Sequence, residues 1–210
     1  MTASLSSLAQ DHRIYAEMMS HPALFTHHRP KRIAIISETN HILLEVLKHQ
    51  AITDIYQLSS QKINPSQSMS RVTFLDGKKQ GLANIKSASF DIVIVDTDSQ
   101  EKALSHYFDA LCSDGILMQC AGSSFDVPAL KKIQDTLKKT GFSDYRLVSF
   151  PQPQFPSGWR SAFMSIKQHM FKRIREKDIF NKSFETHYYN FDMHKASLVL
   201  PEFMREELTS

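Results

Sequence analysis

The sequence predicts an α/β fold built on a doubly wound, mostly parallel β-sheet with an antiparallel strand at one end. The apolar runs at residues 32–36 and 90–96 lack the polar alternation of half-exposed strands, which is typical of strands buried on both faces of a parallel sheet. Segments with apolar residues at helical spacing lie between most of these runs, so helical crossover connections between parallel strands are expected. The last two runs are joined only by the loop 151–158, which predicts an antiparallel connection.

The first half of the chain predicts two helices and three strands. Ile14, Met18 and Leu24 lie at helical spacing, and polar residues after the run 32–36 can begin a helix ahead of Leu43. The predicted elements are helix 14–25, strand 32–36, helix 43–47, strand 54–58 and strand 72–75, with a polar loop rich in Ser and Gln over 59–70.

The second half continues this alternation. The predicted elements are strand 90–96, helix 101–111, a turn at Asp114 and Gly115, strand 116–120, helix 127–140 ended by Gly141, strands 142–150 and 162–166, and terminal helices within 194–208. This order is that of the Rossmann-like nucleotide-binding fold used by S-adenosylmethionine-dependent transferases. We interpret residues 1–210 as a single catalytic domain in which 168–210 form a tail with terminal helices.

Composition excludes several classes of function. The 210 residues include 25 Lys and Arg against 22 Asp and Glu, and a net charge of +3 is too small to predict binding to nucleic acid or to a membrane. No export or membrane-spanning signal is evident, and Cys112 and Cys120 are expected to be reduced thiols. The sequence therefore predicts a cytoplasmic protein.

Two polar features are interpreted as structural. The histidines show no ligand-like spacing, since His27 and His28 are expected on different faces and His21 has no near partner, so no metal site is predicted. The basic run 167–177 could bind nucleic acid or a membrane surface, but acidic residues interrupt it. A solvated linker is the favoured interpretation.

Polar residues at the predicted strand ends are the first candidates for a site, because ligands of open parallel sheets bind beyond the carboxyl ends of the strands. Three such ends carry residues 37–40, Asp76 with Gly77, and Asp96. A carboxylate there could bind an adenine amine, orient a cation or take a proton from an amine nucleophile. From position alone, capping of the following turns explains these residues equally well.

Several stretches resemble one known family. Residues 15–25 are similar to a Y-H-E-M-x-x-H-P-x-L segment, 45–49 read E-V-L-K-H, and 90–96 match F-D-V-I-I-x-D. Further matches are D-G-I-L-x-x-Q-x-G-S-x-F at 114–125, P-S-G at 156–158, and Y-Y-N, H-K-A and L-P within 188–201. Together they resemble the spermidine synthase family of polyamine aminopropyltransferases over nearly the whole chain.

The resemblance implies transfer of the aminopropyl group of decarboxylated S-adenosylmethionine, a co-substrate rather than a resident cofactor, onto putrescine. The carbon beside the sulfonium is already electrophilic, so the protein must align donor and amine and keep the amine deprotonated. By matching motif, the implied catalytic carboxylate is Asp96, the donor side holds Asp76, Gly77 and Ser59, and Tyr15 and Gln119 bind the amine. No metal is implied.

The sequence departs from the family pattern around the donor. Residues 37–41 stand where the family has a G-G-G-D-G-G loop, and Ser59 replaces the acid expected to bind the ribose hydroxyls. Residues 1–13 are interpreted as a remnant of the family's N-terminal β-hairpin domain. Three hypotheses follow: a divergent aminopropyltransferase with altered donor binding, a non-catalytic paralogue that keeps the fold for binding or assembly, and a methyl-transfer enzyme.

The terminal segment also predicts assembly. Leu198, Leu200, Phe203 and Leu208 form an apolar stripe on the predicted terminal helices, and large apolar patches are rarely left uncovered on monomers. We expect a homodimer that uses this stripe. The alternative is that the stripe folds back onto its own sheet in a monomer.

Overall fold

The computed structural model describes residues 5–59, 70–76, 88–97 and 101–208. Within these residues, one sheet is accompanied by helices on both faces. The strands are β1 (Arg32–Ile36), β2 (Asp54–Ser59), β3 (Val72–Asp76), β4 (Phe90–Val95), β5 (Leu111–Ser123), β6 (Asp144–Pro151) and β7 (Trp159–Ile166). The helices are α1 (Leu5–Thr26), α2 (His41–Leu47), α3 (Glu101–Ala110), α4 (Val127–Thr140), α5 (Glu176–Phe180), α6 (Phe191–Ser197) and α7 (Glu202–Leu208).

The strand order confirms the predicted fold class. The sheet runs β3-β2-β1-β4-β5-β7-β6, and the first five of these strands are mutually parallel. β7 is antiparallel to β5 on one side and to β6 on the other. The antiparallel strand therefore lies next to the end of the sheet, and β6 forms the edge.

Both faces of the sheet are covered, as the unbroken apolar runs predict. Ile33 and Ile35 belong to the core cluster under α1 and α2, whereas Ala34 points into the opposite cluster with α3, α4 and α7. β4 divides in the same way, with Val93 and Val95 on the second face. Successive side chains of a strand point to opposite faces of the sheet, and both faces are covered by helices. The side chains of these five residues are therefore fully buried.

Two predicted boundaries were wrong. α1 begins at Leu5 rather than near residue 14, so the described residues that we interpreted as a hairpin remnant are helical. The predicted turn at Asp114 and Gly115 lies inside β5, which continues from Leu111. Between the pairs Phe90–Leu111 and Ile92–Ile116, β5 advances five residues while β4 advances two, so a bulge absorbs the excess.

α4 has the predicted bounds because both of its ends carry strong signals. The Asp126 side chain accepts a hydrogen bond from the backbone N–H of Ala129 at 3.2 Å, which caps the first turn. Gly141 ends the helix at φ 105°, a left-handed conformation that glycine adopts without a Cβ clash.

The terminal helices pack on their own chain. Met204 and Leu208 of α7 are buried, and the Gln134 amide of α4 donates to the Leu208 carbonyl at 2.7 Å. Leu198 and Leu200 also pack against the core clusters. The premise that the whole stripe is exposed was therefore wrong, since of its four residues only Phe203 is exposed.

The basic run 167–177 is not simply a solvated linker. The Lys167 ammonium donates to the Leu111 carbonyl at 2.8 Å. The Arg175 guanidinium donates to the carbonyl oxygens of Leu24 and His27 at the end of α1. These two cations fasten the run to the sheet and to α1, a long-range role that local charge patterning does not reveal. Among the described residues, no helix is long and apolar enough to cross a membrane.

Candidate active site

The carboxyl ends of five parallel strands meet at one edge of the sheet. Ser37 follows β1, Ser59 ends β2, Asp76 ends β3, Asp96 follows β4 and Gln119 lies in β5. The chain order reverses between β1 and β4, which is where open α/β sheets bind their ligands. Ser37 and Asp96 flank this switch point.

Asp96 is held in place by two hydroxyl groups. The Tyr15 hydroxyl donates to Oδ1 of Asp96, and the Ser37 hydroxyl donates to Oδ2 at 2.8 Å. The Asp96 backbone N–H extends the β1–β4 ladder by donating to the Ile36 carbonyl at 2.8 Å. A carboxylate oxygen can accept two hydrogen bonds, so both oxygens retain capacity for a substrate amine.

Tyr15 comes from α1, whose long apolar face carries it under the cleft. Burial, followed by the nearby Cys120 and Asp96, raises the pKa of the Tyr15 phenol well above its usual value. The phenol therefore remains a neutral donor to Asp96. The Arg160 guanidinium lies over the Tyr15 ring, 4.5 Å from its centroid, in cation–π contact.

An open cleft of about 290 Å³ lies against Asp96. Besides Asp96 its lining includes Tyr15, Asp11, Phe155 and Arg160. Carboxylates and aromatic rings can both bind an ammonium group. The cleft can therefore hold a small cationic chain close to the Asp96 carboxylate.

The loop that replaces the glycine-rich sequence is braced by side chains. The Gln57 amide donates to the Ser37 carbonyl at 2.8 Å and to the Thr39 carbonyl at 3.4 Å. None of the described residues 37–41 has a positive φ, so this loop conformation does not require glycine. The departure from the family pattern is compatible with an ordered turn at the switch point.

A carboxylate is still present near the end of β2. The Ser59 hydroxyl donates to Oε2 of Glu38 at 3.0 Å, so the loop after β1 brings an acid beside the position where Ser59 stands. Ser59 is also paired in register with Asp76 on β3. The Asp76 side chain and Gly77 lie outside the described part of the molecule. Glu38 belonged to the candidate strand end 37–40, but its contact with Ser59 could not be predicted because it depends on the β1 loop folding over β2.

Gln119 lies one strand away from the switch point. It is paired with Val95 on one side and with Phe163 on the other, and it is 3% exposed. The structure therefore places it beside the strand that carries Asp96, and it does not line the cleft described above.

Sequence reasoning also missed two residues that line the cleft, Asp11 and Arg160. Ser37 belonged to the candidate strand end 37–40, but its contact with Asp96 was not predicted. The Asp11 carboxylate accepts hydrogen bonds from the Gln152 amide and from the backbone N–H of Gln154, which ties α1 to the loop after β6. The position of Ser37 directly after β1 was a usable signal, whereas no local pattern marked the others.

Several histidines lie closer to one another and to carboxylates than their spacing in the sequence suggests. His21 Nδ1 lies 3.0 Å from His49 Nε2, and His21 Nε2 lies 3.1 Å from the Glu45 carboxylate. Burial and the nearby His21 lower the pKa of His49 to about 2, so His49 is neutral at physiological pH. His27 and His28 both approach Asp114, in spite of being adjacent in sequence.

A doubly wound sheet with a hydroxyl-held carboxylate at its switch point, beside an open cleft, is the arrangement of a ligand-binding site in an α/β enzyme. Residues 12–178 match the family model described as the spermine/spermidine synthase domain. The chain belongs to this family.

Curated relatives and solved structures agree with this assignment. The chain is 35% identical to the polyamine aminopropyltransferase of Nitrosococcus oceani, with 94% of this chain and 77% of the relative covered. It is 36% identical to the enzyme of the same name from Xanthomonas campestris, with 95% and 79% covered.

The fold is also found in crystal structures of spermidine synthases. The enzyme from Thermotoga maritima superposes with a TM-score of 0.84 at 24% identity, covering 93% of this chain and 74% of that one. A spermidine synthase in complex with the transition state analogue AdoDATO gives a TM-score of 0.82 at 23% identity, with 93% and 75% covered. At these sequence identities the superpositions are evidence for the fold alone.

Proposed function

We propose that this protein is an aminopropyltransferase that moves the aminopropyl group of decarboxylated S-adenosylmethionine onto an amine of putrescine. The observation that carries the proposal is the Asp96 carboxylate, held by Tyr15 and Ser37 at the switch point and open to the cleft. Membership of the spermine/spermidine synthase family and the relatives named above support the same reaction.

The reaction needs alignment and one proton acceptor. The amine nitrogen forms a bond to the carbon beside the sulfonium, the carbon–sulfur bond breaks, and its electron pair leaves with neutral methylthioadenosine. The attacking nitrogen loses one proton as the secondary amine forms, and Asp96 accepts this proton. Two hydroxyl donors lock the carboxylate, so its orientation is set before substrate arrives.

We assign the donor to the β1–β3 side of the switch point. Asp76 and Gly77 follow the family motif, and Ser59 together with Glu38 offers a hydroxyl and a carboxylate for the ribose. On the acceptor side we assign Tyr15, which lines the cleft, and Gln119, which is buried on the neighbouring strand and is assigned by the family motif alone. In this assignment residues 1–210 act as one catalytic domain, and the altered loop changes donor affinity rather than abolishing it.

The direct test is turnover. Purified protein is incubated with decarboxylated S-adenosylmethionine and putrescine, and methylthioadenosine and spermidine are quantified in equal amounts. Calorimetry with methylthioadenosine measures the nucleoside site separately. Absence of both turnover and saturable nucleoside binding at millimolar ligand would contradict the proposal and favour a non-catalytic paralogue.

We also propose a homodimer. Phe125 and Phe203 remain exposed and stack on each other, with ring centroids 6.4 Å apart. A stacked aromatic pair on the surface is typical of the apolar centre of an interface. Light scattering coupled to size exclusion should give a dimer mass that Phe203→Glu reduces. A monomer mass at tens of micromolar contradicts this proposal.

The proposed compartment is the cytoplasm. Both described cysteines, Cys112 and Cys120, are free thiols, and the cytoplasm keeps such thiols reduced. Cell fractionation with an antibody against the protein tests the assignment, and recovery in a secreted fraction contradicts it.

A further inference from the structure

A second group of polar side chains lies at the opposite edge of the sheet from Asp96. His27 and His28 precede β1, while Cys112 and Asp114 lie at the start of β5. The side-chain ligand atoms of His27, Cys112 and Asp114 lie within 4.8 Å of one another. We call these four residues the His27 cluster.

Several side-chain distances within the His27 cluster are close to those between the ligands of one metal ion. The Asp114 carboxylate lies 3.8 Å from His27 Nε2, 3.1 Å from His28 Nδ1 and 3.3 Å from Cys112 Sγ. With bonds of about 2.0–2.1 Å to nitrogen and about 2.3 Å to sulfur, ligands around tetrahedral zinc are roughly 3.3–3.7 Å apart. The ligand atoms of His27, Cys112 and Asp114, which lie within 4.8 Å of one another, would have to approach by up to roughly 1 Å to hold such an ion.

An independent observation points the same way. His27 is 3% exposed, and its Nε2 has no hydrogen-bond partner among the described residues. Leaving a buried polar atom unsatisfied is costly, so such an atom calls for a ligand. A cavity of about 20 Å³, which holds roughly one water-sized sphere, is lined by His27, His28 and Asp114.

We propose that the His27 cluster binds one divalent transition metal ion of the zinc type. The ligands are His27 Nε2, Cys112 Sγ and an Asp114 oxygen, and a solvent molecule completes the tetrahedron. The combination of imidazole, thiolate and carboxylate selects zinc-like ions over magnesium or calcium. The Cys112 thiol releases its proton to solvent when the metal–sulfur bond forms.

Binding has two identifiable costs, one at His27 and one at Cys112. His27 Nδ1 accepts a hydrogen bond from the backbone N–H of Arg29 at 3.2 Å. Coordination through Nε2 moves the imidazole proton to Nδ1, so this local hydrogen bond must break. The Cys112 thiol donates to the carboxylates of Asp91 at 3.6 Å and Asp114 at 3.3 Å, and both hydrogen bonds are lost when the thiol gives up its proton. The Asp91 carboxylate then adds negative charge beside the bound ion.

The ion would have a structural role. It would join the connection between α1 and β1 to the bulged start of β5, on the side of the sheet away from the cleft. It takes no part in the proposed transfer reaction, so metal binding and aminopropyl transfer can be tested and can fail separately.

The test uses the full chain without an affinity tag, after treatment with a chelator. Titration with Zn²⁺ by calorimetry should show one ion per chain, and saturation should raise the midpoint of thermal unfolding. Titration with Co²⁺ should produce a thiolate-to-metal charge-transfer band, which reports the Cys112–metal bond directly. Cys112→Ser should abolish this band, and Asp114→Asn should weaken Co²⁺ binding at least about tenfold.

Matched controls are available on the same chain. Cys120→Ser changes the other thiol, and His106→Asn changes an exposed histidine of α3, so both should retain the band and the stoichiometry. If Cys112→Ser does not fold, Asp114→Asn together with the wild-type band still decides the question. Absence of the band in the wild type, or an unchanged band in Asp114→Asn and Cys112→Ser, overturns the proposal.

Discussion

Asp96→Asn tests the proposed mechanism most directly. The substitution keeps the size of the side chain and replaces one carboxylate oxygen by an NH₂ group, so the proton acceptor is lost. Oδ1 can still accept from the Tyr15 hydroxyl, and the Ser37 hydroxyl can rotate to accept from the new amide. The structure therefore predicts a folded variant, with a loss of unfolding free energy of about 1 kcal/mol.

The expected loss of activity is much larger than the loss of stability. Removal of a positioned general base lowers turnover by about two to four orders of magnitude. This corresponds to roughly 3–5 kcal/mol in the activation free energy. The increase in activation free energy is severalfold larger than the loss of unfolding free energy. A loss of turnover in the folded variant can therefore be told apart from a loss of stability.

The assay measures initial rates of methylthioadenosine formation at saturating donor and putrescine, with denaturant unfolding of each variant alongside. Asp126→Asn is the matched control, because Asp126 caps α4 and asparagine is an equally good N-cap. It should keep both rate and stability. A folded Asp96→Asn protein with a kcat equal to that of the wild type would refute the role of Asp96 in proton transfer.

Three further predictions concern stability. Gly141→Ala should lower the unfolding free energy by about 1–2 kcal/mol in denaturant titrations, since a φ of 105° disfavours a residue with a Cβ atom; an unchanged midpoint contradicts this. Met204→Ala should cost about 2–4 kcal/mol, because Met204 is 1% exposed on its own chain, and a negligible loss would mean that α7 is not docked. Burial lowers the pKa of His194 to about 4 from 6.5, so the unfolded state binds more protons and stability falls as pH drops from 6.5 towards 4. Unfolding titrations over that range should show His194→Asn removing about 3 kcal/mol of the decline, and equal slopes would contradict it.

The sequence by itself determined the elements whose signals are local. Apolar runs without alternation predicted β1 and β4, because a strand covered on both faces has no polar side. Asp126 and Gly141 bounded α4, since capping depends on residues within one turn of the helix end. Asp96 could be singled out because its position directly after a buried strand predicts the binding edge of a parallel sheet.

Only the tertiary structure decided the contacts between distant segments. Nothing in the local sequence joins the Ser37 or Tyr15 hydroxyl to Asp96, or Glu38 to Ser59, since each pair meets only after separate elements have packed. The early start of β5 likewise depends on the pairing of Leu111 with Phe90 of β4, which the local turn signal at Asp114 and Gly115 could not reveal. The burial of Leu208 and the proximity of the side chains in the His27 cluster were also decided by the tertiary structure. Burial and side-chain proximity depend on the whole fold, whereas the propensity of a residue for helix or strand depends on its neighbours in sequence.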